Sequence, residues 1–315
     1  MSAGPQRAMT PAEWGLLLLL SLLWGGSFFF VGVAVKELPP FTIVAARVCL
    51  AAALLWLTAP LTGLSAAKVR AQAPALAALG LINNAIPFSL IVWGQTHLAS
   101  GLAAILNATT PVATVVVAHF LTVSEKLTAR RLAGALIGFA GVATMIGPDL
   151  ARGLVDDVAA EAAALTAAVA YAFASVFARR FRGLGLAPID VAAGQVTSAG
   201  LMLIPVALLV ERPWSLPAPS LPVVAALVAL AALSTALAYV VYFRILAGAG
   251  ATNVVLVTLL APATSILLGA AFLGERLAAR QFLGLAAIAA GLASIDGRLP
   301  QAARARLQRR VRRSA

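Results

Sequence analysis

The chain has 315 residues, of which 62% are hydrophobic and only 11% are charged. A soluble domain is nearer half apolar, so this composition excludes a water-soluble fold and indicates a protein embedded in the lipid bilayer. The formal net charge is +12. A single cysteine, Cys49, excludes an intramolecular disulfide and a cysteine-cluster metal site.

Charged residues, prolines and glycines divide the chain into ten apolar runs. Since a spanning helix takes about 20 apolar residues, we predict an all-α integral membrane protein with ten transmembrane helices. Span 1 is longer than the core of a signal peptide and lacks a small-x-small cleavage site, so we expect it to be retained. Spans 1 to 10 are predicted at residues 14–35, 41–61, 73–93, 98–123, 129–147, 155–178, 189–210, 221–246, 251–273 and 279–295.

Positive charge is unevenly distributed between the two sides of these spans. With the N-terminus inside, most of the 23 lysines and arginines fall in cytoplasmic segments, many of them in the tail at residues 297–315. The positive-inside rule therefore predicts that both termini are cytoplasmic. We interpret the tail as a topology anchor on anionic lipid, since no predicted element supports nucleic-acid binding.

A segment near the end of the first half returns in degenerate form in the second. Residues 107–127 read NATTPVATVVVAHFLTVSEKL, and residues 253–277 read NVVLVTLLAPATSILLGAAFLGERL. In both copies a proline, Pro111 or Pro262, lies in an apolar run that ends on a glutamate, a cation and a leucine. A cationic turn and a glycine-rich run follow each copy, which indicates an internal duplication.

This order resembles the EamA-type, ten-helix members of the drug/metabolite transporter superfamily. Their halves each end in a proline-bearing helix, a G-E-[RK]-L turn and a glycine-rich helix. The first copy departs from that pattern, with Ser124 where the second has Gly274. The resemblance covers residues 14–296 and implies a membrane transporter rather than an enzyme, in a family whose substrates include amino acids, sugars, nucleotides and drugs.

The resemblance also implies a division of the chain. We expect five-helix repeats at residues 14–147 and 155–296, a cytoplasmic segment at 1–13, an extracytoplasmic linker at 148–154 and the basic tail at 297–315. Because five is odd, the second repeat enters the membrane in the opposite sense from the first. Inverted repeats of this kind place a substrate site between the halves near the bilayer midplane.

Polar side chains inside the spans are the candidates for that site, since they face the bundle interior or a wet cavity. Span 3 carries Asn83 and Asn84 close to Pro87, whose missing N–H loosens the Asn83 carbonyl. The alternative is that the asparagines bind helices together. The counterpart, span 8, holds Ser234, Thr235, Tyr239 and Tyr242, while spans 1 and 6 contribute small residues and aromatic rings that suit either a packing seam or a cavity wall. The predicted substrate-binding residues are Trp24, Ser27, Asn83, Asn84, Tyr171, Tyr239 and Tyr242.

Charged groups within the spans are few. Arg47 lies about two turns, roughly 9 Å, below the outer start of span 2, and Glu161 lies at a similar depth in span 6. We predict a gating or structural pair, with snorkelling of Arg47 or its contact with an anionic substrate group as alternatives. His119 is interpreted as a packing residue. Glu125 and Glu275 are expected to tie turns to helix N-termini, which leaves no obvious carboxylate relay for protons.

The sequence thus predicts a secondary transporter that exports small metabolites across the bacterial inner membrane by alternating access. The favoured substrates are neutral amino acids, including aromatic ones, because phosphorylated substrates call for several cations in the bundle. No Gly-x4-Gly-Lys-Ser/Thr loop occurs. The alternatives are a multidrug or other metabolite exporter, a passive channel and a membrane-embedded enzyme. No cofactor or metal is expected, the partners are a small-molecule substrate and membrane lipid, and one copy suffices for a transport path.

Overall fold

We describe the protein from a computed structural model. It describes residues 10–122, 128–129, 132–138, 140–141, 144, 155–249 and 257–296. Throughout this part of the chain the regular structure is helical, with no strand. Among the described residues, seven helices are long and apolar enough to cross a membrane: Pro11–Ala34, Pro40–Leu57, Ala73–Gly94, Ser100–Leu121, Asp157–Phe181, Pro188–Glu211 and Leu221–Tyr242.

These seven helices correspond to predicted spans 1 to 4 and 6 to 8. Span 9 is helical over Val257–Leu268 and continues as a wider turn through Gly269–Leu273, and span 10 is helical over Ala279–Asp296. Span 5 is described in part and is helical at residues 132–138. The linker at 148–154, the tail from 297 onward and the turn at Glu125 lie outside the described residues.

Local sequence signals explain where several helices begin. The hydroxyl of Thr10 accepts a hydrogen bond from the Glu13 N–H, and the Glu13 carboxylate accepts one from the Thr10 N–H, which is a capping box at the start of span 1. Pro40 and Pro188 occupy the first positions of spans 2 and 7, where the missing N–H costs no helical hydrogen bond. The helix of span 4 is interrupted after Asn107 and begins again at Thr110, just before Pro111.

Helix packing follows the same pattern in the two halves. Span 1 packs against spans 8 and 9, and span 6 packs against spans 3 and 4. Span 2 packs against spans 7 and 8, and span 7 against spans 2 and 3. Exchanging spans 1 to 4 for spans 6 to 9 therefore reproduces the same set of neighbours.

Two groups of buried side chains form the main core. One joins spans 1, 2, 3, 7 and 8 around Val44 and Leu230, and the other joins spans 4, 6 and 10 around Ile105. Large apolar side chains such as Leu57 and Phe272 are instead exposed on the outside, where a bilayer would cover them. The polar residues discussed next lie at the first of these core groups.

Candidate functional site

Spans 3 and 8 each contain a π-helical turn at matching places in the two halves. The turns run over Leu81–Ala85 and Ala232–Leu237, and the shift that carries Pro111 onto Pro262 also carries Leu81 onto Ala232. In the first turn the Ile86 N–H donates to the Leu81 carbonyl, five residues back. Such wide turns interrupt the regular helical ladder and are frequent at functional sites.

The wide turn does not depend on a proline. In span 3 it directly precedes Pro87, where the sequence led us to expect a loosened backbone. In span 8 the residue at the matching place is Ala238, yet the turn still forms. Both turns carry buried polar side chains, Asn84 in span 3 and Ser234 and Thr235 in span 8.

Arg47 contacts the π-helical turn of span 8 and the helix that follows the turn of span 3. Its side chain is only 7% exposed, its Nε donates a hydrogen bond to the Thr235 hydroxyl over 3.0 Å, and its guanidinium carbon lies 3.7 Å from the centroid of the Phe88 ring. Arg47 therefore joins span 2 to both halves through a hydrogen bond and a cation–π contact.

A second cross-half contact lies beside it. The Asn84 amide nitrogen donates to the Tyr239 hydroxyl over 3.2 Å. The Asn84 side-chain oxygen and the Ser234 hydroxyl are buried and have no hydrogen-bond partner in the part of the chain that the structure describes. Buried polar groups are nearly always paired, so unpaired ones indicate a bound water, ion or ligand.

The structure separates the predicted substrate-binding residues into three sets. Asn84, Tyr171 and Tyr239 lie beside the contacts of Arg47: Asn84 donates to the Tyr239 hydroxyl, and the Tyr171 ring meets edge-on, with centroids 6.5 Å apart, the Phe88 ring that Arg47 contacts. Trp24 and Tyr242 form a neighbouring aromatic pair with centroids 5.5 Å apart. Asn83 and Ser27 point elsewhere: Asn83 donates to Gln195 of span 7 over 2.8 Å, and Ser27 donates to the Trp24 carbonyl of its own helix.

The predicted pair of Arg47 and Glu161 is not formed. Glu161 is 1% exposed and lines a cleft of about 340 Å³ together with His97, Asp157 and Arg280, whereas Arg47 contacts Thr235 and Phe88. The sequence placed the two residues at a similar depth, but span 2 packs on spans 7 and 8 while span 6 packs on spans 3 and 4. Residue counting along a helix estimates depth, whereas the direction of a side chain depends on how its helix packs against its neighbours.

Glutamates at the ends of spans cap helices elsewhere in the chain. The Glu275 carboxylate accepts hydrogen bonds from the Ser100 and Gly101 N–H groups over 2.8 and 3.3 Å, which confirms the structural role expected for Glu275. The Glu211 carboxylate accepts from the N–H groups of Phe41 and Thr42. A carboxylate at a helix N-terminus is stabilised by the unpaired N–H groups and the helix dipole.

Phe88 and Gln195 were not singled out from the sequence as site residues. Phe88 could have been found by applying the repeat shift, which carries it onto Tyr239. Gln195 gave no comparable signal, because it is one polar residue among the small ones of span 7. It is nonetheless 2% exposed and holds the Asn83 amide.

Comparisons with known proteins are consistent across sequence and fold. A model of the EamA-like transporter family matches residues 13–147 and again residues 159–295. Protein PagO of Salmonella typhimurium is 34% identical over 122 residues, which cover 39% of this chain and 40% of PagO. The uncharacterized transporter YoaV of Bacillus subtilis is 21% identical over 88% of this chain and 94% of its own length. One solved crystal structure superposes with a TM-score of 0.66 at 22% identity, covering 90% of this chain and 96% of the other, which indicates a shared fold.

Proposed function

The chain belongs to the EamA-like transporter family, and on that premise we propose that it exports small metabolites, chiefly neutral amino acids including aromatic ones. It works as a secondary transporter by alternating access in the bacterial inner membrane. Both termini are cytoplasmic, the two repeats are inverted, and a single copy provides the transport path.

The pattern of contacts supports two related halves in this arrangement. The family model matches once in each half, and the neighbours of spans 1 to 4 correspond to those of spans 6 to 9. A five-helix unit used twice has opposite orientations in the membrane, and transporters built in this way bind substrate where the repeats meet. The paired π-helical turns of spans 3 and 8 lie at such a meeting point.

The observation that carries the proposal is the buried contact between Asn84 and Tyr239. It joins the two halves, and among the described residues the Asn84 oxygen and the Ser234 hydroxyl of the span 8 turn are buried and unpaired. Uncharged amide and hydroxyl groups suit a solute without net charge, because they both donate and accept hydrogen bonds. The rings of Phe88 and Tyr171 add an apolar wall for a hydrophobic side chain.

Counterflow of labelled phenylalanine and leucine into proteoliposomes tests the assignment. Tyr239→Phe removes the hydroxyl that Asn84 binds, and loss of one such hydrogen bond is expected to weaken transport about 2- to 10-fold. Trp56→Phe is the control, because it removes a 2.9 Å hydrogen bond to Thr197 between spans 2 and 7 without touching Asn84. If no amino acid competes while a cationic drug or a sugar phosphate does, the substrate assignment is wrong.

A further inference from the structure

We propose that Arg47 binds the carboxylate of the transported solute and that the side-chain oxygen of Asn84 accepts a hydrogen bond from its ammonium group. The inference rests on the proposed function and narrows it to substrates with a free α-carboxylate. It makes Arg47 the residue that separates amino acids from cationic drugs.

Arg47 carries a permanent positive charge inside the helical bundle. A guanidinium remains protonated at any physiological pH, and Arg47 is nine-tenths buried within span 2. Among the described residues, the contacts of its side chain are the Thr235 hydroxyl and the Phe88 ring, with no carboxylate. Charged side chains inside membrane proteins are costly and mark substrate paths or pair with an opposite charge, so an anionic group of the solute fits this position.

Two contacts hold the Arg47 guanidinium in place. The hydrogen bond to Thr235 uses Nε, and the Phe88 ring covers the guanidinium at 3.7 Å. These contacts fix the position of the group, and no described residue accepts a hydrogen bond from its two Nη groups. Two parallel N–H groups of one arginine match the two oxygens of a carboxylate.

An unpaired acceptor lies on the same two helices that Arg47 contacts. Asn84 is four residues before Phe88 in span 3, and its nitrogen donates to the hydroxyl of Tyr239, four residues after Thr235 in span 8. The Asn84 oxygen is fully buried and has no hydrogen-bond partner among the described residues. An amide oxygen accepts hydrogen bonds and carries no charge, so it binds an ammonium group without neutralising Arg47. An α-amino acid carries a carboxylate and an ammonium group on one carbon and meets both requirements.

The charge also predicts which solutes are excluded. A cationic amine without a carboxylate can donate a hydrogen bond to the Asn84 oxygen, but the Arg47 guanidinium repels it in a medium of low dielectric constant. A carboxylic acid without an ammonium group keeps the contact with Arg47 and loses only the hydrogen bond to the uncharged Asn84 oxygen. The expected order of competition is therefore phenylalanine, then phenylpropanoate, then phenylalaninamide and phenethylamine.

The test measures competition by these four compounds against labelled phenylalanine in proteoliposome counterflow. Wild type should favour phenylalanine over phenylalaninamide by about 10-fold or more, as expected for a charge-assisted hydrogen bond. Arg47→Gln keeps a donor but removes the charge and should collapse that ratio towards 1. Arg47→Lys should retain the preference, and Asn84→Leu should instead reduce the preference for phenylalanine over phenylpropanoate.

The outcomes separate the inference from the proposed function. If Arg47→Gln slows transport yet leaves the ratio of phenylalanine to phenylalaninamide unchanged, Arg47 only supports the fold and the inference is overturned. If Arg47→Gln does not fold, the wild-type profile decides, because equal competition by phenylalaninamide also overturns it. If neither phenylalanine nor any other amino acid competes in wild type, the proposed function itself fails.

Discussion

Substitution of Gly80 by alanine tests the close contact that holds span 3 against span 7. A Cβ atom built on Gly80 would lie 2.5 Å from the Gln195 carbonyl oxygen and 3.2 Å from the Ala199 nitrogen, where ordinary contacts begin at 3.4 Å. Both neighbours are backbone atoms, so no side chain can rotate away. The two helices must separate, and a shift of this size would also stretch the 2.8 Å bond between Asn83 and Gln195.

The expected cost follows from these contacts. Overpacking of this kind costs about 1–3 kcal/mol, and the lost hydrogen bond adds about 0.5–1.5 kcal/mol. Alanine recovers about 0.5–1 kcal/mol because it is the better helix former. We therefore expect Gly80→Ala to lower the free energy of unfolding by about 0.5–4 kcal/mol.

Reversible unfolding in mixed lipid–detergent micelles measures this difference. Gly15→Ala is the matched control, since Gly15 is also helical but a Cβ built on it meets nothing within 4 Å. The control should be neutral or slightly stabilising. If Gly80→Ala unfolds at the same denaturant concentration as Gly15→Ala, or at a higher one, the close contact at Gly80 does not stabilise the packing of spans 3 and 7 as expected.

Two further predictions concern orientation and pH. In a chain whose Cys49 is replaced, a cysteine introduced at Ser2 or Ser314 should react with an impermeant reagent only after permeabilisation, and one within residues 148–156 should react in intact cells; the opposite pattern would reverse the topology. The Ser220 hydroxyl and N–H donate to the Glu37 carboxylate and hold its pKa below the ordinary value. The stability that this carboxylate contributes is complete above the ordinary pKa of glutamate. It is lost as the pH falls through the lower pKa of the folded state. Glu37→Gln should therefore make the loss of stability at acid pH less steep than in wild type. A variant with an acid limb as steep as that of wild type would contradict this link.

Much of the fold could be predicted because the bilayer restricts the possibilities. Apolar runs of sufficient length become helices, which is why the seven long helices agree with the predicted spans to within a few residues, as at Ala73–Gly94. The role of Glu275 was also predictable, since a carboxylate in a turn between spans has helix N-termini as its nearest donors.

The arrangement of the site could be predicted only in part. The sequence indicated Asn84, Tyr171 and Tyr239 as candidates because polar groups in hydrocarbon are conspicuous, but it indicated neither the hydrogen bond between Asn84 and Tyr239 nor the contacts of Arg47. The partner of Arg47 depends on the direction in which span 2 faces, and apolar residues all round that helix hide its orientation. The π-helical turns were equally inaccessible, because span 8 forms one with no proline to indicate it.

The two matching turns have a consequence for how a ligand is oriented. If both halves had kept the same side chains, the centre would present identical groups twice, and a small molecule would fit equally well in two opposite poses. The backbone shape is shared, but one turn carries Asn83 and Asn84 where the other carries Ser234 and Thr235. Amide side chains in one turn thus correspond to hydroxyl side chains in the other, and the Arg47 Nε donates to the Thr235 hydroxyl of the second turn. The two turns share a backbone shape, but their different side chains would favour one orientation of a bound ligand over the opposite one.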